Sequence, residues 1–168
     1  MMHGQDYAGQ DVSGWYATEK LDGCRARWDG AQLWSRTGKL VKAPPGMLAE
    51  LPPGFAIDGE LYAGPGTRCA VAAAMRTGRW PDRVRFVAFD APDAPGDYPR
   101  RISAVRALWP GRTYFEVVPA LRISDIDTAR HMLRAINQVG GEGLMLYQPD
   151  RPYTPARVPS LLKLKDYL

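Results

Sequence analysis

The chain is poor in the residues that build metal and disulfide frameworks. Its 168 residues include two cysteines, Cys24 and Cys69, and two histidines, His3 and His131, none in paired or ligand-type spacing. A zinc site and a disulfide framework are therefore excluded as organising features. Cys24 has no base beside it and reads as packing. No apolar run reaches the roughly eighteen residues of a membrane-spanning helix, and no apolar segment of signal type opens the chain. A cytoplasmic protein without membrane attachment is expected, or a periplasmic one if a signal has been removed. Internal repeats, low-complexity tracts and an interior linker are also missing, so residues 1–168 read as one domain. The charge is not extreme: net +4 with a pI near 9.2 is compatible with a nucleic-acid partner without requiring one.

What is present is a globular composition, 45% hydrophobic, and one stretch dense in chemistry. Glu19-Lys20-Leu21-Asp22-Gly23-Cys24-Arg25 sets a lysine, two carboxylates, a glycine and an arginine between two strand-like segments, at about 15–19 and 25–28. Asp29-Gly30 is a hairpin signal and Gln32 to Ser35 the return strand. Lys20 thus stands in a loop at the end of a strand, where a rigid sheet can aim it into a cleft. Ser35-Arg36-Thr37-Gly38-Lys39 gathers hydroxyls and cations round a glycine, a turn able to bind phosphate.

Further along, residues 1–14 read as an irregular lead-in and 43–54 as a proline-rich loop with one helical turn from Met47 to Leu51. Phe55 to Tyr62 reads as a strand that carries Asp58-Gly59-Glu60. Unpaired carboxylates are costly in a core, so these acids face solvent or a ligand. Thr67 to Thr77 suits a helix stopped by Gly78, and Val84 to Asp90 alternates as a strand bearing Phe89. Arg100 to Trp109 reads as a helix stopped by Pro110-Gly111, and Tyr114 to Pro119 as a short strand. Ser124-Asp125 opens a helix whose apolar stripe is core-facing. It closes at Gly140-Gly141, before a strand headed by Glu142-Gly143. In Leu161-Leu162-Lys163-Leu164-Lys165 both lysines project from one face, suited to an anion or to solvent.

Taken in order, Lys20-x-Asp22-Gly23-x-Arg25, Ser35 to Lys39, Asp58-Gly59-Glu60-Leu61, Phe89-Asp90, Glu142-Gly143 and Leu161 to Lys165 resemble motifs I, Ia, III, IIIa, IV and V of the covalent nucleotidyltransferases. Among these the chain is most similar to the minimal bacterial ATP-dependent DNA ligases. The resemblance spans residues 19 to 165. It implies an α+β, ATP-grasp-like adenylation domain: two mainly antiparallel sheets with flanking helices around a nucleotide cleft. It implies ATP as the nucleotide, with AMP as covalent intermediate, Mg²⁺ or Mn²⁺ as metal and nicked duplex DNA as partner of a monomer. Lys20 would be the nucleophile, with Asp22 and Arg25 in the catalytic group. Thr18, Glu19, Arg25, Glu60, Phe89, Glu142, Lys163 and Lys165 would bind the nucleotide. Arg36, Lys39 and Arg157 would meet DNA, and Glu142 and Asp58 the metal.

The chemistry accounts for these residue types. An amine attacks phosphorus only when neutral, yet a lysine ordinarily titrates near about 10.4. Burial, neighbouring cations and a metal would each ease its deprotonation, and the same cations would offset charge on the α-phosphate. The family normally continues into an OB-fold domain with a basic motif VI; this chain stops three residues after Lys165, so a separate or removed OB domain is an expected partner. Two other readings stand beside the ligase: another covalent nucleotidyltransferase, such as an RNA ligase or guanylyltransferase, and a nucleotide- or nick-binding module without turnover.

Overall fold

The computed structural model describes residues 1–108, 111 and 113–166. In chain order the elements are β1 (His3–Asp6), β2 (Tyr16–Glu19), β3 (Cys24–Trp28), β4 (Leu33–Ser35), α1 (Pro45–Glu50), β5 (Ile57–Tyr62), α2 (Arg68–Thr77), β6 (Arg85–Asp90), α3 (Tyr98–Ala107), β7 (Phe115–Val117), β8 (Leu121–Arg122), α4 (Ile126–Gln138), β9 (Leu144–Tyr147) and β10 (Arg157–Leu164). They form two five-stranded sheets, ordered β1-β10-β9-β2-β8 and β4-β3-β5-β6-β7. Only the β1–β10 and β6–β7 ladders are parallel among those described.

Local chemistry sets the element ends. Asp29 accepts from the backbone N–H groups of Ala31 and Gln32, which fixes the turn between β3 and β4. Gly78 ends α2 in the left-handed region at φ 74°, and Asp125 caps α4 by accepting from Thr128 N at 2.7 Å. Asp97 does the same for α3 through Arg100 N.

Alternation along the strands then divides the interior in two. On β10, Leu162 and Leu164 join Ala17, Leu144 and Leu146 under α4, where Ala129 and Leu133 complete a small core. Leu161 and Tyr147 belong instead to the larger core, with Trp28, Leu33, Ile57, Leu61, Phe86 and Phe115. The face of the first sheet turned away from α4 thus carries the side chains left for a cleft.

The two-sheet α+β expectation holds, and so do most elements. Residues 1–14 depart from it: part of the supposed irregular lead-in is strand β1, paired with the far end of the chain. The helix expected from Arg100 begins earlier, at Tyr98; its expected last residue, Trp109, and the following Pro110 lie outside the described residues. Strand β8 was not foreseen, and β10 begins at Arg157, well before Leu161. No helix among the described residues is long and apolar enough to cross a membrane.

Candidate active site

A cleft of about 610 Å³ opens between the two sheets. Lys20 enters it from the loop after β2, its backbone N–H held by Gly143 O at 2.8 Å. Gly23 lets that loop lie against β5: a Cβ there would sit 2.2 Å from Leu61 O and 2.9 Å from Glu60 Cγ. The glycine of the lysine motif is thus demanded by close approach. Gly59 is demanded likewise, since a Cβ would meet the Phe86 ring and Val87 O at 2.7 Å.

Lys20 Nζ lies 2.6 Å from Glu142 Oε2, and Lys165 Nζ bonds the other oxygen of the same carboxylate. Burial alone would raise the Glu142 carboxyl, but the hydrogen bonds and charges of Lys165 and Lys20 outweigh it and hold it low. Lys163 lines the same wall, 3.3 Å from Asp6. Opposite stands Glu60, raised from the ordinary 4.5 to about 7 by burial, against the opposing pull of Lys20 and Arg25. Arg25 is the Cα partner of Glu60 across β3 and β5. Its guanidinium lies 5.3 Å from the centre of the Phe89 ring.

Arg25 is held from behind. Its Nε and Nη2 donate to the two oxygens of Asp58 at 3.2 and 2.6 Å, and Tyr153 OH donates to Asp58 Oδ2 at 2.7 Å. The chain end closes this row, with Met2 N donating to Tyr153 OH.

Of the residues singled out from sequence, Thr18, Glu19, Lys20, Asp22, Arg25, Arg36, Glu60, Phe89, Glu142, Arg157, Lys163 and Lys165 line this one cleft. Two are not brought to it. Lys39 is exposed on the loop beyond Arg36, and Asp58 is fully buried with both oxygens engaged. No group of three or more His, Cys, Asp or Glu near enough to hold a metal occurs among the described residues. Of the two acids expected at the metal, Glu142 alone faces the cleft, so a divalent ion there would draw its remaining oxygens from a ligand.

Sequence reading missed His3 and Tyr153. His3 lines the cleft because β1 pairs beside β10, where its Cα partner is Arg157. Burial, then Arg25, Arg36 and Arg157, lower its imidazole below the usual value. No sequence signal marks either residue, because both act through partners more than a hundred positions away or behind a buried acid.

The cleft therefore offers an amine, clustered cations, an acceptor carboxyl suited to hydroxyls and an aromatic face. Those are the fittings of a nucleotide site able to transfer a phosphoryl-linked group. No protein-family model matches the chain. The DNA ligase of Haemophilus influenzae is 32% identical over 164 residues, a match covering 95% of this chain and 60% of that protein. This chain thus spans less than two thirds of that relative's length. A solved Lig E DNA ligase, described for DNA binding with a minimal scaffold, gives a TM-score of 0.87 at 31% identity, over 99% of this chain and 68% of the other. The Chlorella virus DNA ligase-adenylate gives 0.82 at 22% identity, over 98% and 66%, a likeness of fold alone.

Proposed function

The chain belongs to the DNA ligases, and from that premise we propose that it is the adenylyltransferase unit of an ATP-dependent one, charging Lys20 with AMP and passing the nucleotide to a nick. One observation carries the proposal. Residues 20, 60, 142, 163 and 165, scattered along the sequence, converge on one cleft with the Lys20 amine 2.6 Å from a carboxylate.

Lys20 Nζ attacks the α-phosphorus of ATP. A nitrogen–phosphorus bond forms, the bond to the β-phosphate oxygen breaks, and pyrophosphate leaves with its electron pair. Glu142 holds Lys20 as a partner of the ammonium, so before it attacks the amine gives up this contact and releases its proton to solvent. Lys163 and Lys165 face the charge that develops on the phosphate oxygens. Glu60 accepts from ribose hydroxyls, Phe89 stacks on the base, and the backbone at Thr18 and Glu19 reads its edge. Mg²⁺, when bound, would be held by Glu142 and would neutralise phosphate charge. The AMP then moves to the 5′-phosphate of a nick, and the 3′-OH displaces it to join the strand. Asp22 stands at the cleft wall near Lys20, where the joining step takes place. Arg25, held by Asp58, and Arg36 and Arg157 of the cleft lining meet DNA phosphates, with Lys39 next along the loop.

The test is intact mass after incubation with Mg²⁺ and either ATP or GTP. ATP is expected to add one AMP, acid-labile and absent from Lys20→Ala. Lys20→Arg should also fail, since a guanidinium stays protonated. An adduct that persists in Lys20→Ala, or forms with GTP alone, would overturn the reading.

A further inference from the structure

The positive charge of this chain is concentrated in one place outside the catalytic cluster. Residues 36–42 and 76–83 carry Arg36, Lys39, Lys42, Arg76, Arg79 and Arg83 against one acid, Asp82. The whole chain has a net charge of +4, so everything outside these two segments is slightly negative.

The two segments are remote in sequence and adjacent in space. Trp80 Nε1 donates to Lys42 O at 2.7 Å, and a Cβ on Gly78 would lie 3.9 Å from Lys42 Cβ. Their cations are all exposed, and among the described residues none of the six has a carboxylate at ion-pair distance. Arg83 also holds a positive φ of 65°, a backbone state that favours glycine, so an arginine there is kept at a conformational cost. The platform is firm. Trp80 packs on the larger core, and α2 lies against β3 and β5.

The cluster adjoins the cleft. Arg36, the first residue of one segment, and Met75, which immediately precedes the other, both line it. An exposed set of cations that borders the site, with no carboxylate at ion-pair distance among the described residues, matches a long rod of regularly spaced negative charge.

We propose that Lys42, Arg76, Arg79 and Arg83 form a phosphate track for the duplex arm that leads away from the nick. The proposal rests on the DNA ligase reading and extends it: the footprint reaches past the cleft onto the C-terminal end of α2. DNA carries about one charge per 1.7 Å of helix axis, so an arm lying along the track releases counterions at each contact. The contacts are to phosphates, so they add affinity and register without sequence preference.

The experiment uses the full chain and its Lys42→Gln/Arg76→Gln/Arg79→Gln variant. Binding to nicked duplex is measured across a salt series, and lysine charging by ATP alone is measured in parallel. On a nick with long arms the variant is expected to bind about tenfold or more weakly. Its slope of log K against log salt should fall by about 0.9 for each lost contact, or roughly 2 to 3 in all. Charging is expected to be unchanged. Shortening the arms one at a time should abolish the difference between variant and parent for one arm only. A variant that charges normally and binds the long-armed nick with unchanged affinity and slope overturns the track alone. A loss that persists when both arms are short also overturns it, because the residues then act on the nick itself. A parent chain that neither charges nor binds a nick overturns the ligase reading and the track together.

Discussion

Glu60 is the residue where burial and function pull against each other. Its carboxyl is raised from 4.5 to about 7, chiefly by burial. An acid with a raised folded-state value holds its proton more firmly folded than unfolded. Its stabilising contribution is therefore full below about pH 4.5 and is lost as pH rises through about 7. Urea midpoints measured from pH 4 to 8 are expected to fall across that window, and Glu60→Gln is expected to flatten the fall. The same substitution keeps a hydrogen-bonding group but removes the strong acceptor for ribose hydroxyls, so charging by ATP should weaken most at low ATP. An unchanged pH slope in Glu60→Gln would show that another group titrates there. The neighbouring motif glycines work differently: Gly23 and Gly59 give the backbone room to approach β5 and β6, and any side chain there must displace main-chain or ring atoms.

At the scale of elements, the row Arg25–Asp58–Tyr153 ties β3 to β5 and to the stretch that precedes β10. Asp58 is fully buried, while Arg25 keeps 18% of its side chain exposed toward the cleft. Removing the acid leaves the largely buried guanidinium without the carboxylate it hydrogen-bonds. Asp58→Ala is expected to lose about 3 kcal/mol of stability, read from urea unfolding. Nick binding should weaken as well, because Arg25 is no longer aimed at the cleft. Tyr153→Phe removes one hydrogen bond only and is expected to cost about 1 kcal/mol. If Asp58→Ala unfolds like the parent, the row does not hold Arg25 in place. A similar tie acts without any charged partner at α1, where the Glu50 carboxylate accepts from the backbone N–H groups of Thr113, Tyr114 and Phe115 and so anchors β7.

The whole molecule is bridged by α3. Arg101 is 1% exposed and bonds Asp90 through Nε at 2.8 Å and Nη2 at 3.2 Å. Its Nη1 donates to Gly96 O and to Arg151 O, the latter on the connection between β9 and β10. Tyr98 stacks on Tyr147 of β9 at 3.9 Å between ring centres, and its N–H donates to Pro149 O. One helix therefore grips both sheets and fixes the cleft between them. Arg101→Met is expected to cost 3 to 5 kcal/mol, roughly the loss for breaking a buried ion pair from one side, with a matching drop in melting temperature. Adding Asp90→Asn should recover part of it, since the orphaned acid is then neutral. A double variant no more stable than Arg101→Met would show that the carbonyl bonds to residues 96 and 151, and not the ion pair, carry the bridge.

The sequence by itself determined whatever depends on neighbours a few residues apart. Gly78 ends α2 and Asp125 caps α4, as their local chemistry requires. The period of two along β10, carried one residue past its end, placed Lys163 and Lys165 on the cleft face and Leu162 and Leu164 under α4. The ordered motifs were legible for the same reason, because each is a short stretch with its own pattern. Only the tertiary structure decided the rest. His-Gly-Gln-Asp has no strand alternation, and β1 exists because β10, some 150 residues on, offers it a ladder. That pairing is also what brings His3 to the cleft. Asp58 looks in sequence like a second acid beside Glu60, yet Arg25 and Tyr153 take both of its oxygens and remove it from the cleft. A residue's type and spacing state which bonds it can make; which it does make is set by the groups that the fold leaves within about three ångströms of it.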